Sequence, residues 1–115
     1  MRRWLPSDYF DEVREVGLRG GHINDSELAH LQALTGLRTL WLDGTPITDE
    51  GLLHLEGLTG IEDLGVKGTQ ITEAGLINLT RLTGLRRLDL RETQVTKAVA
   101  ARLQMALPNC RIYGP

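Results

Sequence analysis

Two periods alternate along the chain. Leu40 and Leu42 flank Trp41, and Leu88 and Leu90 flank Asp89, the two-residue alternation of a strand with one covered face. Further on, Leu52, Leu55 and Leu58 recur at helical spacing, as do Leu76, Leu79 and Leu82. Thr48, Thr72 and Thr96 stand where a helix N-cap is wanted, with Asp49, Glu50 and Glu73 in the first turns, where carboxylates favour the positive end of the helix dipole. The pattern predicts a unit of strand, turn and short helix.

The unit recurs. Leu37, Leu40, Leu42, Thr45, Ile47, Gly51 and Leu52 are matched 24 residues later by Ile61, Leu64, Val66, Thr69, Ile71, Gly75 and Leu76. The same step reaches Leu85, Leu88, Leu90, Thr93 and Val95, and backwards it finds Val13, Val16, Leu18, Ile23 and Leu28. Four repeats are expected, at 13–36, 37–60, 61–84 and 85–107. An N-terminal cap over 1–12 precedes them, built on Trp4, Leu5, Tyr9 and Phe10 with Ser7 capping a short helix. A closing segment, 108–115, follows the alanine-rich helix that Pro108 stops, and Ile112 marks one last short strand. One unit cannot bury its own apolar stripe, so the copies must stack, with a parallel sheet on one side and a row of helices on the other. The expected class is α/β.

The motif running from Leu37 to Leu58 resembles a leucine-rich repeat of the 24-residue kind, and is similar to bacterial arrays, abundant in planctomycetes, that carry Thr where many such repeats carry Asn. Trp4, Leu5, Asp8, Tyr9 and Phe10 resemble the segment that opens such arrays, and Ala106 to Ile112 their closing segment. The resemblance implies a right-handed solenoid with about five strands on its concave face and short helices on its convex face. It also implies an interaction module; no serine stands near a His and Asp in a nucleophile arrangement and no Gly-rich phosphate loop is present, so no enzyme chemistry and no cofactor are expected. Thr45, Thr69 and Thr93 share the Thr-for-Asn change, and Gly21 breaks it. Their hydroxyls are expected to bond loop backbone of neighbouring repeats, leaving the first repeat the loosest.

Composition narrows the function classes. The 115 residues carry 13 Lys and Arg against 15 Asp and Glu, which gives no general electrostatic case for nucleic acid. The single cysteine, Cys110, excludes an internal disulfide framework. No apolar run approaches the ~20 residues of a membrane span, and Met1 to Asp8 lack the apolar stretch of a signal peptide. As the chain stands the expectation is therefore cytoplasmic, unless an upstream segment was removed. Charge is uneven along the axis: residues 1–84 carry 7 Lys and Arg against 13 Asp and Glu, and residues 85–115 carry 6 against 2.

Steps of 24 also stack surface positions into rows. The strand residues facing away from the core are Glu15, Gly17 and Arg19; Thr39, Trp41 and Asp43; Asp63, Gly65 and Lys67; Arg87, Asp89 and Arg91; and Arg111 and Tyr113. Trp41 is an aromatic on a flat sheet beside two glycines. With Arg87, Arg91 and Tyr113 it forms a docking surface, or else it packs over the glycines and covers the sheet. The binding residues expected on this face are Thr39, Trp41, Asp43, Asp63, Lys67, Arg87, Asp89, Arg91, Arg111 and Tyr113. His30 and His54 occupy one position on neighbouring helices, but Asn78 and Arg102 continue their row, which argues against a metal. Asp25, Asp49, Glu73 and Lys97 form a row at helix starts, read as helix-end electrostatics rather than acid–base chemistry.

The leading reading is a non-catalytic module that binds a polypeptide on the concave face. The alternatives are a glycan or cell-wall fragment stacked on Trp41 and Tyr113, three strand steps or ~14 Å apart, and a structural segment that self-associates weakly through its oppositely charged ends.

Overall fold

The computed structural model describes residues 12–114. All of the expected N-terminal cap except Glu12 lies outside them.

The strands are β1 (Glu15–Gly17), β2 (Thr39–Trp41), β3 (Asp63–Gly65), β4 (Arg87–Asp89) and β5 (Arg111–Tyr113). They form one parallel sheet in sequence order. Every pairing has the same offset, so that Val16, Leu40, Leu64, Leu88 and Ile112 lie side by side. Each strand is only three residues long, because only one inward position is needed before the chain turns. The helices on the other side are α1 (Asp25–Leu28), α2 (Asp49–Leu53), α3 (Glu73–Leu79) and α4 (Lys97–Ala106), with a 3-10 helix at Ala29–Ala33 after α1.

The caps fall where expected: the side chains of Thr48, Thr72 and Thr96 accept backbone N–H bonds from Glu50, Ala74 and Val99. Asn24 makes a reciprocal capping box with Glu27. The helical leucine spacing overshoots the helices, however. Leu55 and Leu58 are buried, yet they follow the end of α2 in tight turns whose backbone bonds run to the third residue back: His54 N to Gly51 O, Leu55 N to Leu52 O, and Leu58 N to Leu55 O. A spacing of three suits such turns as well as it suits an α-helix, and the sequence pattern does not separate the two.

The core is a continuous column of Leu, Ile and Val from Leu28 to Leu107. Val13, Val16, Leu18 and Ile23 are only half-buried, whereas their counterparts one step on, Leu37, Leu40, Leu42 and Ile47, are completely buried. At the other end Gln104 donates its side-chain amide to the carbonyls of Leu107 and Cys110, closing the last turn.

Two expectations about the polar rows are corrected. The hydroxyls of Thr45, Thr69 and Thr93 do not reach neighbouring repeats. Each donates to the carbonyl three residues earlier in its own turn, Leu42, Val66 and Leu90, at 2.6 to 2.7 Å. Gly21 keeps the equivalent backbone bond, to Leu18 O at 2.9 Å, and lacks only the hydroxyl.

The row that does tie repeats together is the one read as helix-end electrostatics. Asp25 accepts from the backbone N–H (2.8 Å) and hydroxyl of Thr48, and Asp49 does the same for Thr72 (N–H 2.7 Å). This arrangement requires a glycine in the next repeat, adjacent in space: a Cβ at Gly51 would overlap Asp25 Oδ1 and crowd Leu28 Cδ1 at 2.9 Å, and a Cβ at Gly75 would overlap Asp49 Oδ1 and crowd Leu52 Cδ1 at 3.0 Å. Where the third copy has Val99 in place of glycine, the acid is Glu73, which turns away to bond Arg102 at 2.9 Å. The acid and the glycine change together, while Thr96 stays and caps its own helix.

Candidate functional site

The open face of the sheet carries three rows, fixed by the common register. The first is Glu15, Thr39, Asp63, Arg87 and Arg111; the second is Gly17, Trp41, Gly65, Asp89 and Tyr113. The third, just past the strands, is Arg19, Asp43, Lys67 and Arg91. All ten residues expected on this face are there.

Trp41 is half-buried, and the reading that it packs over the glycines holds in part. Its indole Nε1 donates to Glu15 at 3.2 Å, and the Arg19 guanidinium lies over the ring, 4.5 Å from its centroid. On the other side the ring leans over Gly65, where a Cβ would come within 2.7 Å of it and within 2.6 Å of the Asp43 carboxylate. Nothing lies within 4 Å of a Cβ at Gly17. The ring therefore covers one glycine and leaves the other open.

Between Trp41 and Tyr113 lies a cavity of about 230 Å³, lined also by Arg19, Arg87, Asp89 and Arg91 and reaching Leu64 below. It continues into a wider depression of about 570 Å³ toward Asp43, Lys67 and Glu92. The missing side chain at Gly65 is the space into which the Trp41 ring and the Asp43 carboxylate lean, so that the ring forms one wall of the cavity and Leu64 its floor.

Four of the cations on this face are held by carboxylates. Arg19 pairs with Asp43 (3.1 Å), Arg87 with Asp63 (2.7 Å), Arg91 with Asp89 (2.8 Å) and Lys67 with Glu92 (3.5 Å). Asp43 also accepts from the Lys67 backbone N–H, at 3.0 Å. The Arg91 side chain grips the Asp89 carboxylate and holds its pKa below the usual carboxylate range, against the opposing effect of burial. Arg87 and Arg91 are correspondingly raised by bonding to Asp63 and Asp89. These pairs fix the guanidinium groups in place around the cavity. Arg111 is exposed and has no partner among the described residues.

Sequence reasoning missed two features. Gly20, Gly44 and Gly68 share a left-handed backbone with φ near +70°, and the next step along lands on Glu92, at φ 58°. A non-glycine residue there is strained, and Glu92 borders the wider depression. The 24-residue row signals this break. The second feature is an apolar groove of about 290 Å³ between α3 and α4, lined by Leu76, Ile77, Val99 and Leu103. Ile77 there is 70% exposed.

Neither histidine row nor acid row gathers a metal site: no group of three or more His, Cys, Asp or Glu converges among the described residues. None of their helices is long and apolar enough to cross a membrane. Cys110 is buried, and burial pushes its thiol pKa up, with the Asp63 charge adding to the effect.

No protein-family model and no curated protein sequence matches the chain. Solved structures do. An internalin from Listeria monocytogenes superposes over 95% of this chain with a TM-score of 0.77 at 22% identity. A leucine-rich repeat protein of Leptospira interrogans does so over 96% with a TM-score of 0.68 at 21% identity. Internalin C2 of Listeria monocytogenes covers 92% with a TM-score of 0.57 at 20% identity. The chain spans 30%, 28% and 62% of the lengths of those three chains. Five in-register parallel strands, short helices on the opposite side and this likeness together establish the fold: the chain is a leucine-rich repeat solenoid.

Proposed function

We propose that the chain is a non-catalytic protein-interaction module that binds a polypeptide on the strand face, in the cavity between Trp41 and Tyr113. One observation carries the reading. The cavity has an aromatic wall at each end, Leu64 at its floor and ion-paired arginines around it, so apolar surface is exposed within a polar rim. Anchors of this kind, a buried-edge aromatic beside arginine, supply most of the energy at protein interfaces. A cavity of about 230 Å³ takes one large side chain rather than a whole ligand, which favours a peptide anchor over a glycan lying along the face. The repeats are read as the bacterial 24-residue Thr type, in the blocks 13–36, 37–60, 61–84 and 85–107, with strand spacing of that length as support.

Selection of phage-displayed random peptides against the immobilised chain tests this. Recovered peptides should lose about 2 kcal/mol or more of binding to Trp41→Ala, roughly thirtyfold in Kd, and should lose affinity for Tyr113→Ala as well. Both variants are first shown by circular dichroism and denaturation to be folded. Recovery of peptides indifferent to both substitutions would refute the site.

A further inference from the structure

The charge pattern at one end of this face defines the kind of polypeptide it fits. Four cations on the face, Arg19, Lys67, Arg87 and Arg91, each have a carboxylate partner within the protein. Arg111 does not. It lies in register beside Arg87, whose own partner Asp63 sits on the far side, on β3. The end of the first row therefore holds two adjacent guanidinium groups against one carboxylate. Tyr113, two residues along the same face of β5, is 37% exposed and forms the wall of the cavity.

We propose that the occupant of the cavity is an acidic peptide segment, whose large apolar side chain fills the space between Trp41 and Tyr113 while a neighbouring Asp or Glu pairs with Arg111. The inference rests on the reading of the strand face as a peptide-binding site. Residues two apart on an extended strand are ~7 Å apart on one face, the separation of Arg111 from Tyr113 along β5. An extended peptide with its acid within two positions of its anchor therefore reaches both groups at once. A basic peptide would place a third cation beside Arg87 and Arg111. Because Arg111 is exposed, the pairing acts more on selectivity and encounter rate than on total affinity.

The same peptide selection decides the matter when its sequences are read for charge and the recovered peptides are titrated against Arg111→Gln. The expected result is enrichment of Asp or Glu within two positions of an aromatic or large aliphatic residue. Arg111→Gln should bind these peptides about fivefold more weakly at low ionic strength, with the gap closing as salt is added. Trp41-dependent peptides without an acidic preference, or acidic peptides bound equally by Arg111→Gln, would overturn this inference and leave the binding face intact. Recovery of no Trp41-dependent peptide would overturn both. Self-association of the wild-type chain that Arg111→Gln abolishes would assign the guanidinium to a second copy instead, and would likewise overturn it.

Discussion

Gly75→Ala should destabilise the chain, although in an exposed helix the same change would stabilise by about 1 kcal/mol. Gly75 lies inside α3, and its missing side chain is the space occupied by the Asp49 carboxylate, whose Cγ would lie 2.9 Å from the new Cβ. To accommodate the methyl group, Asp49 must leave Thr72, breaking bonds to its backbone N–H (2.7 Å) and its hydroxyl. Two hydrogen bonds to a charged group contribute about 3 kcal/mol at the low end of their range, fitting for a half-buried carboxylate that water can reach on moving. Setting the helix gain against that loss leaves a net cost of about 2 kcal/mol. The informative comparison is with Asp49→Ala. In that background the tightest of the contacts left to the methyl group is Leu52 Cδ1, at 3.0 Å, and a leucine tip can shift. There Gly75→Ala should be neutral or stabilising by up to about 1 kcal/mol. Urea denaturation of the wild type, both single variants and the double variant measures the cycle. Equal destabilisation in both backgrounds would refute the proposed coupling of Asp49, Thr72 and Gly75.

Other consequences follow from single residues. Glu92→Gly relieves a left-handed backbone at φ 58° and should stabilise by about 1 kcal/mol; a loss of stability would mean that the Lys67 pair outweighs the strain. Asp89 has a lowered pKa because it is bonded to Arg91, so its contribution to stability is present above the ordinary carboxylate value of about 3.9 and is lost as pH falls through the lower folded value. The stability difference between wild type and Asp89→Asn should therefore be constant near neutrality and vanish in acid, and parallel curves throughout would contradict it. Cys110, buried with a raised pKa, should react with a thiol reagent at mildly alkaline pH at least about tenfold more slowly in the folded chain than in urea. Equal rates would show that the closing turn held by Gln104 opens readily.

Much of the fold is legible because every strand repeats one instruction. Leu40, Leu64 and Leu88 alternate with outward residues at a constant step, and that step alone sets register and topology. The Thr N-caps are equally plain, since their chemistry acts within one turn. Helix ends are not: Leu55 and Leu58 satisfy the core equally well from short turns. What spacing places is a position, and not the partner of a side chain. Asp25 and Asp49 sit at helix starts, as the pattern requires, yet their bonds run to the next repeat. Arg87 and Arg91 reach the open face as expected, and their pairing with Asp63 and Asp89 depends on rotamers that no row of letters records. The wall that Trp41 gives the cavity depends on its ring leaning over Gly65 of the next strand, a feature visible only when the strands are laid side by side.

The claim that the strand face is the binding surface is tested most directly by amide chemical-shift mapping of the nitrogen-15-labelled chain titrated with a selected peptide. The account predicts the largest changes at Trp41, Gly65, Asp89, Arg111 and Tyr113, with α1 to α4 little affected. Changes centred instead on Ile77, Val99 and Leu103 would move the site to the groove between α3 and α4 and contradict it.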